Sequence, residues 1–193
     1  MPSPTLVHVA RESPTERRRR AARIARRLAT LYPEARTALH YETPFQLLVA
    51  TILSAQCTDR KVNEVTAELF SRYGTAEALA RARPEAIEAI VRPCGFYRQK
   101  TRAIQAAASG VVERFGGQVP ACLEELVSLR GVARKTANVV LGNAFGVPGL
   151  AVDTHVKRVA GRLELTAHED PEKIEGDLME LLPQRAWTAF CHR

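Results

Sequence analysis

Apolar and polar positions along the chain recur with a helical period, and the gaps between the runs hold residue types that start and stop helices. Ser13-Pro14-Thr15-Glu16 sets a capping box and a first-turn proline ahead of a helix that ends before Pro33. Thr43-Pro44-Phe45-Gln46 repeats that signature before a run to about Cys57, and Thr58 caps a third helix that stops at Gly74. Shorter helices are predicted over 76–82 and 84–92. After the turn Gly95-Phe96-Tyr97, a segment from about Arg98 to Phe115 aligns Ile104, Ala108, Val111, Val112 and Phe115 on one face and ends at Gly116-Gly117. Three more helices fall over 121–129, 133–145 and 153–164, with Val152, Val156, Val159, Ala160 and Leu163 marking the buried face of the last. Pro171 and Pro183 punctuate the remainder. No stretch alternates with the period of a strand, so the predicted fold is all-α.

Composition narrows the functional classes. With 193 residues, 46% of them hydrophobic, the chain can build one large domain or two small ones. No run approaches the roughly 18 apolar residues of a membrane span and the N-terminus lacks a secretory core, so a soluble protein of the cytoplasm is expected, away from membranes. The arginine-rich stretch from Arg11 to Arg27 shares its composition with organelle transit peptides, but Glu12, Glu16 and the helical patterning favour a mature helix. Its Arg17–Arg20 run reads as a solvated face. The excess of 28 Lys+Arg over 21 Asp+Glu favours a polyanionic partner, because clustered basic charge releases counterions from phosphate on binding. Cys57, Cys94, Cys122 and Cys191 lie tens of residues apart, unlike zinc or iron–sulfur ligands, and are expected as free, buried thiols.

The segment 126–141 joins two helical runs through a short turn at Gly131, a helix-hairpin-helix pattern. Such a turn presents successive backbone N–H groups at the positive end of the next helix, where a phosphate can bind without reading sequence. An ordinary α-hairpin would use the same glycine. Lys135 falls in the first turn of the second helix, an unfavourable place for a cation. The helix field, the neighbouring Arg134 and partial desolvation would all favour a neutral, nucleophilic amine there. Asp153 reads as the N-cap of the helix that begins Thr154-His155-Val156. A helix from Arg134 to Phe145 is roughly 18 Å long and the connection to Val152 can span roughly 20 Å. The chain can therefore double back and set Lys135 and Asp153 across one cleft, an arrangement the spacing permits without requiring it.

Taken in order, Ser54-Ala55-Gln56-Cys57-Thr58-Asp59, Cys94-Gly95-Phe96-Tyr97, Gly131-Val132-Ala133-Arg134-Lys135-Thr136-Ala137-Asn138 and Val152-Asp153-Thr154-His155 resemble the endonuclease III family, bacterial DNA glycosylases with AP-lyase activity. The likeness runs from about Ala21 to Arg193. It implies two helical lobes flanking a DNA-binding cleft: a six-helix bundle over 38–148, with the helix-hairpin-helix at about 123–146, and a second lobe from 1–37 with 149–193. It implies that Lys135 attacks C1′ of a damaged nucleotide, expels the base and forms a Schiff base that undergoes β-elimination. Asp153 would assist the nucleophile and stabilise positive charge at the sugar. The nucleotide must be extruded for either residue to reach it. Gln56 would fill the vacated gap, and Phe96 would take the place of the family's hydrophobic wedge, usually leucine, beside the opposite base. Arg130, Gly131, Val132, Ala133, Arg134, Thr136 and His155 would complete the DNA contacts.

The chain departs from the family pattern at three points. The usual hairpin Leu-Pro-Gly-Val-Gly has Arg130 in place of its proline and Ala133 in place of its second glycine, which would restrict the turn if that position needs φ > 0. The family's [4Fe-4S] cluster sits on four close cysteines near the C-terminus. No metal ligands are assigned within these residues, and a cluster is expected only if a longer parent sequence supplies the cysteines beyond Arg193. The resemblance implies a monomer acting on damaged double-stranded DNA at the nucleoid, with oxidised pyrimidines as substrates. A monofunctional glycosylase and a non-catalytic helix-hairpin-helix DNA-binding protein stand as alternatives.

Overall fold

The structure, a computed structural model, describes residues 12–193; Arg11 and the first residues assigned to the second lobe lie outside it. Every regular element among the described residues is helical: α1 Pro14–Leu31, α2 Pro44–Leu53, α3 Asp59–Tyr73, α4 Ala76–Arg81, α5 Pro84–Val91, α6 Tyr97–Phe115, α7 Leu123–Val127, α8 Arg134–Ala144, α9 Thr154–Arg162, α10 Pro171–Leu181 and α11 Trp187–His192, with single 3-10 turns at Arg92–Cys94 and Gln184–Ala186. The chain divides into two compact units, one spanning Thr37–Val147 and one joining the described part of Met1–Arg36 to Pro148–Arg193.

Within the Thr37–Val147 unit, α2 is the central helix. Nine of its ten residues are buried, Phe45 to Leu53, and it packs on α3, α6 and α8. An almost uniformly apolar run is the sequence a helix needs when it is enclosed on all sides. Helix α6 crosses α2, α4 and α5, burying Ile104, Ala107, Ala108 and Val111, and is closed by a left-handed Gly116 with the Gly117 N–H on the Val111 carbonyl. Two expected boundaries move. Helix α2 stops at Leu53 instead of running to about Cys57, because residues 54–57 form a tight turn with Gln56 at φ 52°. Helix α7 covers only Leu123–Val127 of the expected 121–129, since the Leu129 N–H has already turned onto the Leu126 carbonyl.

The other unit gathers α1, α9, α10 and α11 around Ala21, Leu150, Val152, Ala160, Leu165, Ile174, Leu178 and Leu182. The capping box at Ser13 forms as the sequence indicates, with Ser13 and Glu16 exchanging hydrogen bonds. The Arg17–Arg20 run is the solvated face expected of it only in part: Arg18 and Arg19 are exposed, while Arg17 and Arg20 are half-buried. Arg17 donates to the Leu165 carbonyl at 2.6 Å and Arg18 to that of Glu180 at 3.1 Å. Arg20 donates to the Leu163 and Glu164 carbonyls at 2.5 and 2.9 Å, and its guanidinium also meets Glu12 at 2.8 Å. These carbonyls lie at and just past the C-termini of α9 and α10, where cations are favoured by the helix dipole. Val159, expected on the buried face of α9, is 43% exposed.

Candidate nucleic-acid interface

The hairpin is built from inside out. Leu126, Leu129 and Val132 are buried and fix the turn to the core, while Arg130, Gly131, Ala133, Arg134 and Lys135 remain exposed. The Val132 N–H bonds the Leu129 carbonyl at 3.1 Å, and Arg114 braces the Ser128 carbonyl at the same distance. Gly131 adopts φ +90° and packs so closely on α6 that a Cβ would lie 3.1–3.2 Å from the main chain and Cβ of Ala103. Glycine is therefore required twice at this position, by conformation and by contact. Ala133, standing at the family's second glycine, has φ −82° and ψ 160°, an extended geometry open to any residue. The restriction considered for this departure does not arise. Val132, 6% exposed, can offer a ligand only its main chain.

Helix α8 starts at Arg134 with no side-chain cap, so its positive end is served by no oxygen from the Ala133 position. Lys135 occupies the first turn and is exposed. A cavity of about 390 Å³ lies beside the hairpin, bordered by Gln56, Phe96, Lys100, Gly131, Ala133 and Thr136. Five residues picked from separate parts of the sequence thus converge on one concavity, and Lys100 joins them.

Gln56 and Phe96 share an uncommon backbone. Non-glycine residues with positive φ among those described are Gln56 at 52°, Phe96 at 46° and Glu164 at 54°. Holding a residue in this sparsely populated region costs on the order of 1–3 kcal/mol, and such residues concentrate where function needs a fixed side-chain direction. Phe96 is 65% exposed, so its ring is no part of the core. The ring of Tyr97, the next residue, has the Arg92 and Arg98 guanidinium groups 5.4 and 5.5 Å from its centroid, a cation–π arrangement. Neither arginine, nor Lys100, was singled out in the sequence; the Phe96-Tyr97-Arg98-Gln99-Lys100 run carries the signal, a turn aromatic followed by cations on the next helical turn.

Asp153 and His155 belong to the other unit. Asp153 is the N-cap of α9, accepting the N–H groups of His155 and Val156 at 2.9 and 2.8 Å, as its position in the sequence indicates. His155 borders a separate cavity of about 220 Å³ with Val156, Val159, Phe190 and Cys191.

The cysteines do not make a metal centre. Cys94 is buried, but Cys57, Cys122 and Cys191 are only partly so, correcting the expectation that all four are buried thiols. Burial, and then the neighbouring Cys57, push the Cys94 thiol up to about 11, and burial pushes Cys191 up to about 12. Metal and cluster ligation needs thiolates. Among the described residues no group of three or more His, Cys, Asp or Glu could hold a metal ion. The residues present therefore do not fit the [4Fe-4S] cluster for which the endonuclease III family is known.

Comparison with known proteins agrees with the geometry. Residues 49–184 match the family described as HhH-GPD superfamily base excision DNA repair protein. Endonuclease III of Synechocystis sp. is 54% identical over 175 residues, covering 90% of this chain and 80% of the relative, and that of Bacillus subtilis is 42% identical over 168 residues, covering 86% and 77%. A solved non-covalent endonuclease III–DNA complex superposes with a TM-score of 0.87 at 40% identity, covering 91% of this chain and 82% of that one. The chain accordingly belongs to the endonuclease III family, within the HhH-GPD superfamily of base excision DNA repair proteins.

Proposed function

We propose that this protein is a base-excision repair DNA glycosylase with AP-lyase activity, acting on oxidised pyrimidines in duplex DNA, with Lys135 as nucleophile and Asp153 as the supporting carboxylate. The observation that carries it is the exposed Lys135 on the first turn of α8, next to Ala133 and Thr136 on the cavity that Gln56 and Phe96 also border. In this reading Phe96 and Gln56 enter the stack as a nucleotide is extruded, offsetting part of a flipping cost of a few kcal/mol. The main chain at Gly131 and Ala133, with Arg130, Arg134 and Thr136, positions phosphate. His155 contributes from the start of α9.

The Lys135 amine, once neutral, forms a bond to C1′ as the glycosidic C–N bond breaks and the base leaves with a proton. Sugar-ring opening gives the imine. Loss of a C2′ proton then expels the 3′ phosphate, and water hydrolyses the imine to return the lysine. The Asp153 carboxylate stabilises cationic charge at the sugar in the first step. No step involves a metal centre; a family cluster would require cysteines from a longer chain. We place the protein as a monomer in the cytoplasm, at the nucleoid. Two observations fit: no described helix is long and apolar enough to cross a membrane, and the chain carries a formal net charge of +7.

The test is borohydride trapping on duplex DNA bearing one thymine glycol or one abasic site, with the parent protein and Lys135→Ala side by side. A covalent adduct with the parent alone is expected. Base release without an adduct would indicate a monofunctional glycosylase, and salt-sensitive binding with neither would indicate a non-catalytic DNA-binding protein. A related endonuclease III has been solved as a trapped covalent intermediate with DNA, and it superposes on this chain with a TM-score of 0.87.

A further inference from the structure

We propose that Lys100 is a positioning residue that holds Phe96 in the attitude needed to displace a stacked base; this rests on the reading of Phe96 as the wedge. Lys100 lies in the first turn of α6 and is only 5% exposed, a rare burial for an ammonium group. A buried cation demands a partner, and Lys100 Nζ donates to the Cys94 carbonyl at 2.7 Å. Its own backbone N–H donates to the Phe96 carbonyl at 3.0 Å. Side chain and main chain of one residue therefore tie down the loop on both sides of Gly95 and Phe96.

Phe96 is the residue in need of support. Gly95 has φ 69° and Phe96 φ 46°, and no side chain caps α6 at Phe96. The Phe96 ring, largely in solvent, has little packing of its own to define its direction. A left-handed non-glycine residue persists only where its surroundings over-determine it, and the Cys94–Lys100 hydrogen bond is the charge-assisted contact that does so here. The ammonium is committed to a main-chain carbonyl and shielded from solvent, which makes Lys100 a clamp for the wedge and unsuited to attack a sugar.

A wedge matters where a base must leave a stack and matters little where none is stacked. The test compares the parent with Lys100→Met and Phe96→Ala on duplex DNA containing one thymine glycol and on a single-stranded oligonucleotide containing one abasic site, with melting temperatures recorded for each. Lys100→Met keeps the length of the side chain and removes the charge. It is expected to lower duplex cleavage about tenfold, in step with Phe96→Ala, with single-stranded cleavage falling no more than about twofold. If Lys100→Met does not fold, Lys100→Gln is read for the same duplex-selective loss. Equal loss on both substrates, or a duplex rate within about twofold of the parent beside an impaired Phe96→Ala, would overturn the clamp. An unimpaired Phe96→Ala would instead overturn the wedge reading, and the clamp with it.

Discussion

Replacing Gly131 with alanine should damage the hairpin far more than replacing Ala133 with glycine, although the two positions correspond to the two glycines of the family pattern. Alanine at φ +90° carries roughly 1–2 kcal/mol of conformational cost. Its Cβ would also sit 3.1 Å from the Ala103 carbonyl oxygen and 3.2 Å from the Ala103 Cα, closer than side chains normally approach backbone. Those atoms lie within α6 and cannot yield without moving the helix, an overpacking worth about 1–3 kcal/mol. The sum is about 2–5 kcal/mol. At Ala133, φ −82° suits alanine; glycine there adds unfolded-state freedom of about 0.4–1 kcal/mol, partly offset by its better N-cap preference, leaving about 0.5 kcal/mol or less. In urea, with a slope of about 2 kcal/mol/M, Gly131→Ala should move the midpoint down by on the order of 1–2.5 M and Ala133→Gly by no more than about 0.25 M. The reasoning fails if Gly131→Ala shifts the midpoint by less than about 0.3 M, or if Ala133→Gly stabilises by more than about 1 kcal/mol.

The two roles assigned to Asp153 separate by substitution: Asp153→Asn keeps a capping oxygen and should hold stability to within a few tenths of a kcal/mol while losing most cleavage, whereas Asp153→Ala should also lose about 1 kcal/mol in thermal unfolding. Full activity in Asp153→Asn would remove the carboxylate from the chemistry. Arg20→Ala removes the contacts to Leu163, Glu164 and Glu12 together and should destabilise by about 1.5–3 kcal/mol in denaturant titration, a null effect showing those carbonyls to be equally well served by water. Burial opposes ionisation of Asp177, but hydrogen bonds from Thr166 at 2.5 Å and His168 at 2.9 Å outweigh it and hold its carboxyl below the usual value of 3.8. Because the folded value is the lower one, this contribution is complete above about pH 4 and disappears as pH falls through the folded value. The gap in melting temperature between parent and Asp177→Asn should accordingly close below that pH; a gap independent of pH would contradict the assignment.

What the sequence disclosed was chiefly local. Ser13, Thr43, Thr58 and Asp153 act on N–H groups two or three residues away, so their capping roles can be read from neighbours alone. Gly131 was legible as a turn; its approach to Ala103 was not, since that contact joins positions 28 apart in the chain. Arg17 and Arg20 looked like a solvated run because their carbonyl partners are 143–148 residues further on. Lys100 was passed over for a related reason: a lysine in an amphipathic segment reads as surface until the neighbouring loop turns back over it. The left-handed backbone at Gln56 and Phe96 has no signature in their residue types, and the motif positions alone drew attention to them.

The arginine contacts of α1 also set an order of events during synthesis. Arg17 meets a carbonyl that the ribosome makes 148 residues later, an interval of about 7–30 s at ordinary elongation rates of about 5–20 residues per second. The contiguous Thr37–Val147 unit has its whole sequence made before Leu165 is added, while α1 waits as an amphipathic helix with Ala21 and Ile24 uncovered. Closing the terminal unit is thus a late step, and a chain cut at residue 160 and released from the ribosome should carry a folded Thr37–Val147 unit beside an N-terminal helix still open to chaperones or proteases.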